Sequence, residues 1–578
     1  MMSSEPPGLL ARRAVHQYRR RDAFAHTALR HHLRAACAQR DGWAERVDTD
    51  LVMTRGAAGY LRVQSFKELD EECVPQFRAL WLPGPAEMMA EAALLRACAE
   101  AGGPFAVPPN VYSYPLTTGD DARGVFVPYW EGYQRRQADL RAACRRDESQ
   151  QVVYLDIRRF YPSVTLHLAG RAWRDACGEA GLPVRWTDLG LKLIADQSTC
   201  GGEGAGWLLT GPMFSHLLGN LVLRELDQAM LADAPDRYFR YVDDIALVAS
   251  PAEIARLEQR VVEQLGRLGL ELHPGKRLEA SAEDWRRSRS EFAGEPEDVT
   301  WGLWLARVRQ AMLFRPEERE SLSATLAAND IRVRPLDYGP VAQGRSYLQR
   351  MRELASLRWF RAAVRRETTA RELVLTAIDL RDRHVGEFFD LVPRYESLTN
   401  FPRKHGRSRM NFLIGRLIYL APRARLPEVA DALGGHAEYA AAAAVMRALY
   451  SRDVTDLLSF GTSAAQVAAR PLRAGGENVT CGSPPMWGDA ATAAAAVLRL
   501  EGLQIKFASP PPRNMLLRLA DWRSDSEDLL ESPDPFAREF ACLHGVDDAD
   551  ANRRANDEAF DRDDQLALHL GQLLGGSS

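Results

Sequence analysis

Two adjacent acids interrupt an otherwise apolar stretch of this chain and restrict the structure that it can form there. The residues from Tyr238 to Val242 and from Ile245 to Ala249 are mainly aromatic or aliphatic, and Asp243 and Asp244 lie between them. Because Asp is depleted in strands and favoured in turns, this pattern predicts a β-hairpin with carboxylates at its tip. An ordinary Asp-Asp turn without chemistry is the competing interpretation.

A third acid, Asp156, ends a second apolar run. Val152 to Leu155 predict a short buried strand, which places Asp156 at the strand end, where a side chain can face a site. If the two strands are neighbours, Asp156 and Asp243 converge, and their carboxylates repel each other unless a cation is present. Oxygen ligands suit Mg²⁺, or Mn²⁺ in its place, and two such ions about 3.5–4 Å apart can clamp the attacking and leaving oxygens of a phosphoryl transfer. The chemistry predicted is nucleotidyl transfer.

Four segments, in order along residues 156–276, together resemble reverse transcriptases. Asp156 with Phe160-Tyr161 matches the family pattern Asp-x-x-x-Phe-Tyr, and Tyr241 to Asp244 match Tyr-x-Asp-Asp. Between them, the segment from Gly211 to Asn220 is similar to Gly-x-x-x-Ser-x-x-x-x-Asn. After the acidic hairpin, Gly269 to Lys276 is similar to Gly-Leu-x-Leu-x-x-x-Lys. Any one of these motifs alone would be weak, whereas the four in this order are specific.

The resemblance implies catalytic roles for five residues. Asp156, Asp243 and Asp244 would hold the metals, with the backbone carbonyl of Ile157 as a further ligand. Lys276 would assist the departing pyrophosphate as a general acid, because an ammonium can release a proton as a guanidinium hardly can. Lysine is rare here, with five in the chain. A solvated surface lysine remains the alternative.

The resemblance also implies residues that contact the nucleotide. Tyr161 matches the position that stacks against the sugar and would exclude a 2′-hydroxyl, although an aromatic that fills the core is the alternative. Gly211 and Pro212 would form a tight start to a helix near Phe214, and Ser215 would face template or nucleotide unless it merely caps that helix. Arg123 would bind the triphosphate, because a forked guanidinium suits phosphate oxygens.

Charge and cysteine usage limit the remaining possibilities. The net charge of −4 and pI near 6.4 argue against polyanion binding over the whole surface, so nucleic acid is expected to meet local basic patches. Eight scattered cysteines without a Cys-x-x-Cys pair predict neither a zinc site nor a disulfide framework. The absence of a signal-like or membrane-length apolar run predicts a cytoplasmic protein with no membrane association. The candidate basic patches are Arg12, Arg13, Arg19, Arg20, Arg21, Arg30 and Arg34; Arg135, Arg136, Arg141, Arg145 and Arg146; and Arg403, Lys404, Arg407 and Arg409. For the second set, a solvated helix face is the alternative interpretation.

The length of 578 residues predicts two or three domains of an α+β fold. Residues 1–110 are expected to form a helical N-terminal and fingers region, and residues 111–310 a right-hand polymerase fingers–palm domain with an antiparallel sheet. Strands around a polar turn are predicted within 111–127. Residues 311–578 are expected to form an α-helical thumb and C-terminal helical domain, without strands between Glu318 and Leu458. No fixed repeat length is visible, so a HEAT-like array and a thumb plus helical domain both remain open. Helical segments are predicted at Tyr347–Val364, Ala370–Leu380, Leu426–Leu433, Ala490–Leu500 and Asn514–Ala520.

A palm followed by a long helical region, without a recognisable ribonuclease H, maturase or integrase segment, resembles bacterial abortive-infection and antiphage-defence reverse transcriptases. That resemblance implies dNTPs as substrates and DNA as product. It also implies, as open options, synthesis without an added template, priming from a protein hydroxyl, a noncoding RNA, a companion defence protein or a homo-oligomer. Two alternatives stay open: a mobile-element or housekeeping reverse transcriptase, and a catalytically silent scaffold with a polymerase fold.

Overall fold

A computed structural model describes most of the chain between residues 59 and 520. The described ranges are 59–118, 124–147, 149–200, 206–293, 300–314, 316–334, 369–482, 487–512 and 514–520, together with residues 13, 14, 17, 52–54, 529, 532 and 534–538. Three sequence predictions therefore lie outside the described residues: Arg123, the segment Tyr347–Val364, and the amino-terminal arginines other than Arg13.

The described residues form a mixed α+β fold that is mainly helical, with small sheets. The first part contains α1 (Val52–Thr54), β1 (Tyr60–Leu69), β2 (Pro75–Pro83), α2 (Pro85–Ala101), α3 (Tyr129–Arg146), β3 (Gln151–Asp156), α4 (Phe160–Ser163), α5 (Leu166–Ala180), α6 (Val184–Thr199), α7 (Met213–Val222), α8 (Arg224–Asp233), β4 (Tyr238–Tyr241), β5 (Asp244–Ala249), α9 (Pro251–Arg267), β6 (Leu278–Ser281), α10 (Ala282–Glu291) and α11 (Trp301–Phe314). The later part contains α12 (Arg319–Ala328), α13 (Ala370–Tyr395), α14 (Asn400–Leu420), α15 (Leu426–Gly434), α16 (Ala440–Ser451), α17 (Thr455–Leu458), α18 (Gly461–Ala474), β7 (Asn478–Cys481), α19 (Asp489–Leu500), β8 (Gln504–Phe507) and α20 (Met515–Ala520). Among the described residues, no helix is both long enough and apolar enough to cross a membrane.

A four-stranded antiparallel sheet in the order β4-β5-β3-β6 occupies the middle of the first part. Its two central strands alternate between two buried clusters, because successive side chains of a strand point to opposite faces. Val153 and Leu155 join the large core, whereas Val152 and Tyr154 join a smaller cluster on the other face. Phe401 of α14 belongs to this smaller cluster, so the later helical part packs directly on the sheet.

A hairpin of β1 and β2 corrects the prediction that residues 1–110 are helical. The strands pair antiparallel from Tyr60 opposite Pro83 to Leu69 opposite Pro75. The hairpin packs on α18, where Ser65 Oγ lies 2.8 Å from Ser463 Oγ and the rings of Phe66 and Phe460 meet edge to face at 5.0 Å. Distant residues therefore cover the apolar side of this hairpin, which explains why local periodicity did not identify it.

The strands predicted around residues 111–127 are much reduced in the structure. Among the described residues of this segment, pairing is limited to isolated bridges between Val111 and Arg240 and between Leu116 and Phe126. The segment nevertheless runs along the sheet edge, because the Tyr112 N–H donates to the Arg240 carbonyl at 3.0 Å.

Helices dominate the later part, as predicted. In the described residues between Glu318 and Leu458, every regular element is helical. Helix α13 begins at a capping box in which Thr369 Oγ1 accepts the Glu372 N–H at 3.2 Å and the Glu372 carboxylate accepts the Thr369 N–H at 3.0 Å. The predicted segments at 426–433, 490–500 and 514–520 are confirmed as α15, α19 and α20. The parallel pair of β7 and β8 was not predicted, because each strand has only four residues.

Candidate active site

The predicted acidic hairpin is present, and its turn is strained. Strands β4 and β5 are joined by Val242 and Asp243 alone, with Tyr241 opposite Asp244. Val242 has φ 54°, a left-handed conformation that β-branched residues rarely adopt. Two hydrogen bonds hold it there: Ser113 Oγ accepts the Val242 N–H at 2.8 Å, and Arg240 donates to the Val242 carbonyl at 2.8 Å. Strain held by the surroundings in this way is frequent at functional sites.

Asp156 and Asp243 meet at one end of the sheet, as the sequence predicts. Asp156 is the last residue of β3, and the next N–H, that of Ile157, donates to the Asp243 carbonyl at 3.0 Å. Burial, followed by the nearby charges of Asp156 and Asp244, raises the pKa of Asp243 to about 6. Burial and the neighbouring carboxylates together therefore oppose the ionisation of Asp243.

Lys276 lies beside this acid pair. The segment before it is fastened to the end of β3, because the His273 N–H donates to the Asp156 carbonyl at 2.7 Å and the Arg158 N–H donates to the Glu271 carbonyl at 2.8 Å. Lys276 Nζ then lies 3.1 Å from each carboxylate oxygen of Asp156, with about half of its side chain exposed. Lys276 is therefore paired with Asp156 while it stays in contact with solvent.

Asp244 lies opposite Asp156 in the strand register, but two cations engage its carboxylate. The buried Arg136 of α3 donates to Asp244 Oδ2 at 3.0 Å, and Lys404 of α14 lies 3.2 Å from the same oxygen. Burial opposes ionisation of Asp244, yet Lys404 and Arg136 hold its pKa below the ordinary value. The structure therefore brings Asp156, Asp243 and Lys276 together and ties the third predicted acid to two basic side chains.

The donor set of Asp156 and Asp243 fits a hard divalent cation, because carboxylate oxygens are preferred by Mg²⁺ and Mn²⁺. The raised pKa of Asp243 supports this fit, since a cation between the acids would relieve their repulsion. Within the described part of the chain, no three His, Cys, Asp or Glu side chains converge as a ready cation site. Ile157, the predicted backbone ligand, is fully buried directly beside the pair.

Tyr161 lies on α4, one turn beyond the strand that carries Asp156. Its hydroxyl oxygen is 2.6 Å from Nδ1 of His216 on α7, and its ring lies against Phe160 with centroids 5.2 Å apart. Gly219 permits this packing, because a Cβ there would lie 3.0 Å from the Phe160 ring and 3.6 Å from the Tyr161 ring. The side chain is partly buried and packs against the large core cluster.

Packing and helix geometry explain three further predicted residues, which are Ser215, Gly211 and Pro212. Ser215 is fully buried with its Oγ 3.3 Å from Gln197 Nε2, which differs from the expectation that it faces template or nucleotide. Gly211 has φ 131°, and a Cβ on it would lie 2.3 Å from the Trp81 carbonyl oxygen, so the packing of β2 requires glycine there. Pro212 directly precedes α7, as predicted, with the helix beginning at Met213.

A buried ionic network behind the hairpin was not identified from the sequence. Arg240 and Asp227 are each 1% exposed and paired at 2.7 and 2.6 Å, and Tyr238 donates to the same carboxylate at 2.8 Å. Arg240 also reaches Asn220 Oδ1 at 3.2 Å, while Asn220 donates to the Ser113 carbonyl at 3.0 Å. Asn220, the last residue of the Gly211–Asn220 motif, therefore braces the strained turn. The signal that could have identified this network is Arg240 itself, because it is a charged residue inside an otherwise apolar strand.

Several basic residues of the predicted patches form ion pairs or hydrogen bonds within the protein. Arg13 donates to the Gly124 carbonyl at 3.1 Å and is buried, and Arg136 and Lys404 are bound to Asp244. Arg403 pairs with Glu438 at 2.7 Å, and Arg409 pairs with Glu387. The exposed arginines of α3, namely Arg135, Arg141, Arg145 and Arg146, still form one outer helix face.

No protein-family model matches this chain, and no curated protein sequence matches it either.

Proposed function

We propose that this chain is a metal-dependent DNA polymerase of the reverse-transcriptase type, RNA-directed or template-independent, that acts in antiphage defence. The observation that carries the proposal is the meeting of Asp156 and Asp243 beside Lys276 at one end of an antiparallel sheet. In this proposal residues 111–310 are the fingers and palm. The helices that follow are the thumb and a C-terminal domain, and the pairwise packing of neighbouring helices such as α13 with α14 and α15 with α16 favours a HEAT-like arrangement.

In the proposed nucleotidyl transfer, each residue of the site has a different role. Divalent cations held by Asp156 and Asp243 would position the attacking and leaving oxygens of the two substrates. Lys276, whose ammonium lies beside Asp156, would give a proton to the departing pyrophosphate. Tyr161 stands next to the same strand end, where its ring would meet the sugar of an incoming deoxynucleotide. Arg136 and Lys404 neutralise Asp244, which limits the negative charge that accumulates at the site.

The test is DNA synthesis by the purified full-length protein. Wild type is incubated with each dNTP and Mg²⁺, or with Mn²⁺, with and without an added RNA template, and the product is sequenced. We expect Asp243→Asn to abolish synthesis, because the variant loses a carboxylate at the acid pair. Asp175→Asn, on the exposed face of α5, is the matched control and should leave synthesis unchanged. Synthesis that survives in Asp243→Asn would contradict the assigned site.

Further measurements on the same DNA synthesis reaction identify the route of synthesis and the partners. Strict dependence on an RNA template would favour a mobile-element or housekeeping enzyme over an untemplated defence enzyme. Protease treatment of the product shows whether DNA is attached to protein, and sequencing of copurified nucleic acid identifies a noncoding RNA. Phage plating on cells that carry wild type or Asp243→Asn tests the role in defence.

A catalytically silent scaffold is the second candidate, and one observation favours it. Lys276 bridges both carboxylate oxygens of Asp156, and Lys404 and Arg136 engage Asp244, so basic side chains already compensate two of the three acids. In this case Asp243→Asn would protect cells as fully as wild type. Protection that depends on Asp243 would exclude the scaffold.

A further inference from the structure

His216 links three aromatic groups beside the proposed nucleotide site. Its ring is stacked on Tyr114 with centroids 3.9 Å apart and planes within 5°, and Phe126 meets it edge to face at 6.3 Å. Its Nδ1 lies 2.6 Å from the Tyr161 hydroxyl. The imidazole therefore joins the 111–127 segment to helix α4, which follows directly after the Asp156 strand.

Two independent features mark this cluster as unusual. Tyr114 has φ 55°, a left-handed conformation that is costly for a bulky residue and persists only when the surroundings impose it. His216 is 5% exposed although its ring is polar, and a buried polar ring is stable only when its nitrogens are hydrogen-bonded. The stacking on Tyr114 and the bond to Tyr161 thus define the orientation of one imidazole ring.

The hydrogen bond fixes the orientation of the Tyr161 ring. A tyrosine ring can turn about its two side-chain torsions, and here Phe160 packs against the ring while Gly219 leaves room for the contact. The hydrogen bond to His216 adds a restraint at the hydroxyl end of the ring. For the phenol to donate, Nδ1 must be the unprotonated nitrogen of a neutral imidazole.

We propose that His216 is a positioning residue that holds Tyr161 in the orientation needed to reject ribonucleotides. The inference rests on the proposed function, since it assigns Tyr161 to the sugar of the incoming nucleotide. A ring that is held in place excludes a 2′-hydroxyl, whereas a ring that can swing aside admits it. His216 touches neither the reacting phosphate nor the metals in this proposal, and it acts through Tyr161.

The test measures kcat/KM for each dNTP and for the matching rNTP with wild type, His216→Ala, Tyr161→Phe and the double variant. We expect each single variant to reduce the preference for dNTP over rNTP by about tenfold, the effect of losing one hydrogen bond. The double variant should show no further reduction, because both changes remove the same interaction. His216→Asn, which keeps an acceptor near the Nδ1 position, should restore part of the preference. His167→Ala, on the exposed face of α5, is the control.

The outcomes separate this inference from the proposed function. If wild type incorporates no nucleotide at all, the proposed function falls and the inference falls with it. If wild type polymerises dNTPs and His216→Ala keeps the wild-type preference, the inference alone is overturned. A double variant whose loss of preference is the product of the two single losses would also overturn the inference, because it would show that His216 and Tyr161 do not act through one contact. Thermal unfolding of each variant establishes that a changed ratio is not a folding defect.

Discussion

Asp243, a proposed metal ligand, carries an electrostatic penalty when it is ionised. Its pKa is raised to about 6 because burial, Asp156 and Asp244 all oppose its ionisation. A carboxyl whose pKa is higher in the folded state than its ordinary value of 3.8 favours folding when protonated. The stability that this gives is present below about pH 4 and is lost as the pH rises through about 6. At neutral pH the ionised side chain therefore destabilises the fold.

Asp243→Asn should consequently raise the free energy of unfolding while it removes activity. In metal-free buffer at pH 8 we expect a gain of at most about 3 kcal/mol, which corresponds to a pKa difference of about two units. The gain should nearly vanish at about pH 3, where Asp243 is mainly protonated in both states. Urea titrations of wild type and variant at both pH values measure it. A variant that is less stable than wild type at pH 8 would contradict the origin assigned to the raised pKa.

Addition of Mg²⁺ provides the complementary measurement at the same residue. A ligand that binds the folded state alone raises the apparent stability. Mg²⁺ should therefore stabilise wild type at pH 8 and have little effect on Asp243→Asn.

At the scale of elements, the acidic hairpin depends on helix α8. Arg240 in β4 and Asp227 in α8 form a buried ion pair, and Arg240 also binds the carbonyl of Val242 at the strained turn. The arginine therefore couples the position of the helix to the conformation of the turn.

Asp227→Ala should be strongly destabilising, because it leaves the Arg240 charge buried without its partner. We expect the free energy of unfolding to fall by about 3–5 kcal/mol. Glu179→Ala is the matched comparison: it breaks the solvent-exposed ion pair with Arg224, and a much smaller loss is expected. Equal losses in the two variants, measured by denaturant unfolding, would show that burial does not determine the strength of the Arg240 pair.

The parts of the site that could be predicted are those determined by residues nearby in the sequence. Asp156 at a strand end and Asp243 at a turn follow from local apolar patterns, and the structure brings them together. The partners of Asp244 could not be obtained in this way, since Arg136 and Lys404 are 108 and 160 residues distant from it. A burial signal exists for Arg136, because it continues the buried face of α3 formed by Gly132, Leu140 and Ala143. The β1–β2 hairpin was missed because its covering surface comes from α18.

At the scale of the whole molecule, the later helical part is joined to the candidate active site by Lys404. Two of the five lysines of the chain, Lys276 and Lys404, lie on acids of this site. Lys404 also lies 4.3 Å from the centroid of the Tyr154 ring, and neighbouring Phe401 completes the cluster on that face of the sheet. The sheet and helix α14 thus form one packed unit.

Lys404→Met should weaken both this packing and catalysis. Loss of a hydrogen bond to a charged group predicts a fall of about 1.5–3 kcal/mol in the free energy of unfolding, with reduced DNA synthesis. Lys404→Arg, which keeps the charge, should recover part of both. Lys506→Met, at an exposed position of β8, is the control for general loss of a lysine. Full activity of Lys404→Met with unchanged stability would show that α14 does not support the site.

The contact between the β1–β2 hairpin and α18 has a consequence for biosynthesis. Ser65 and Ser463 are separated by 398 residues, so the hairpin leaves the ribosome long before the surface that covers it exists. At translation rates of about 5–20 residues per second, its apolar side waits on the order of 20–80 s for that surface. During this interval Phe66 and its neighbours on the hairpin remain without the Phe460 and α18 surface against which they pack in the folded protein.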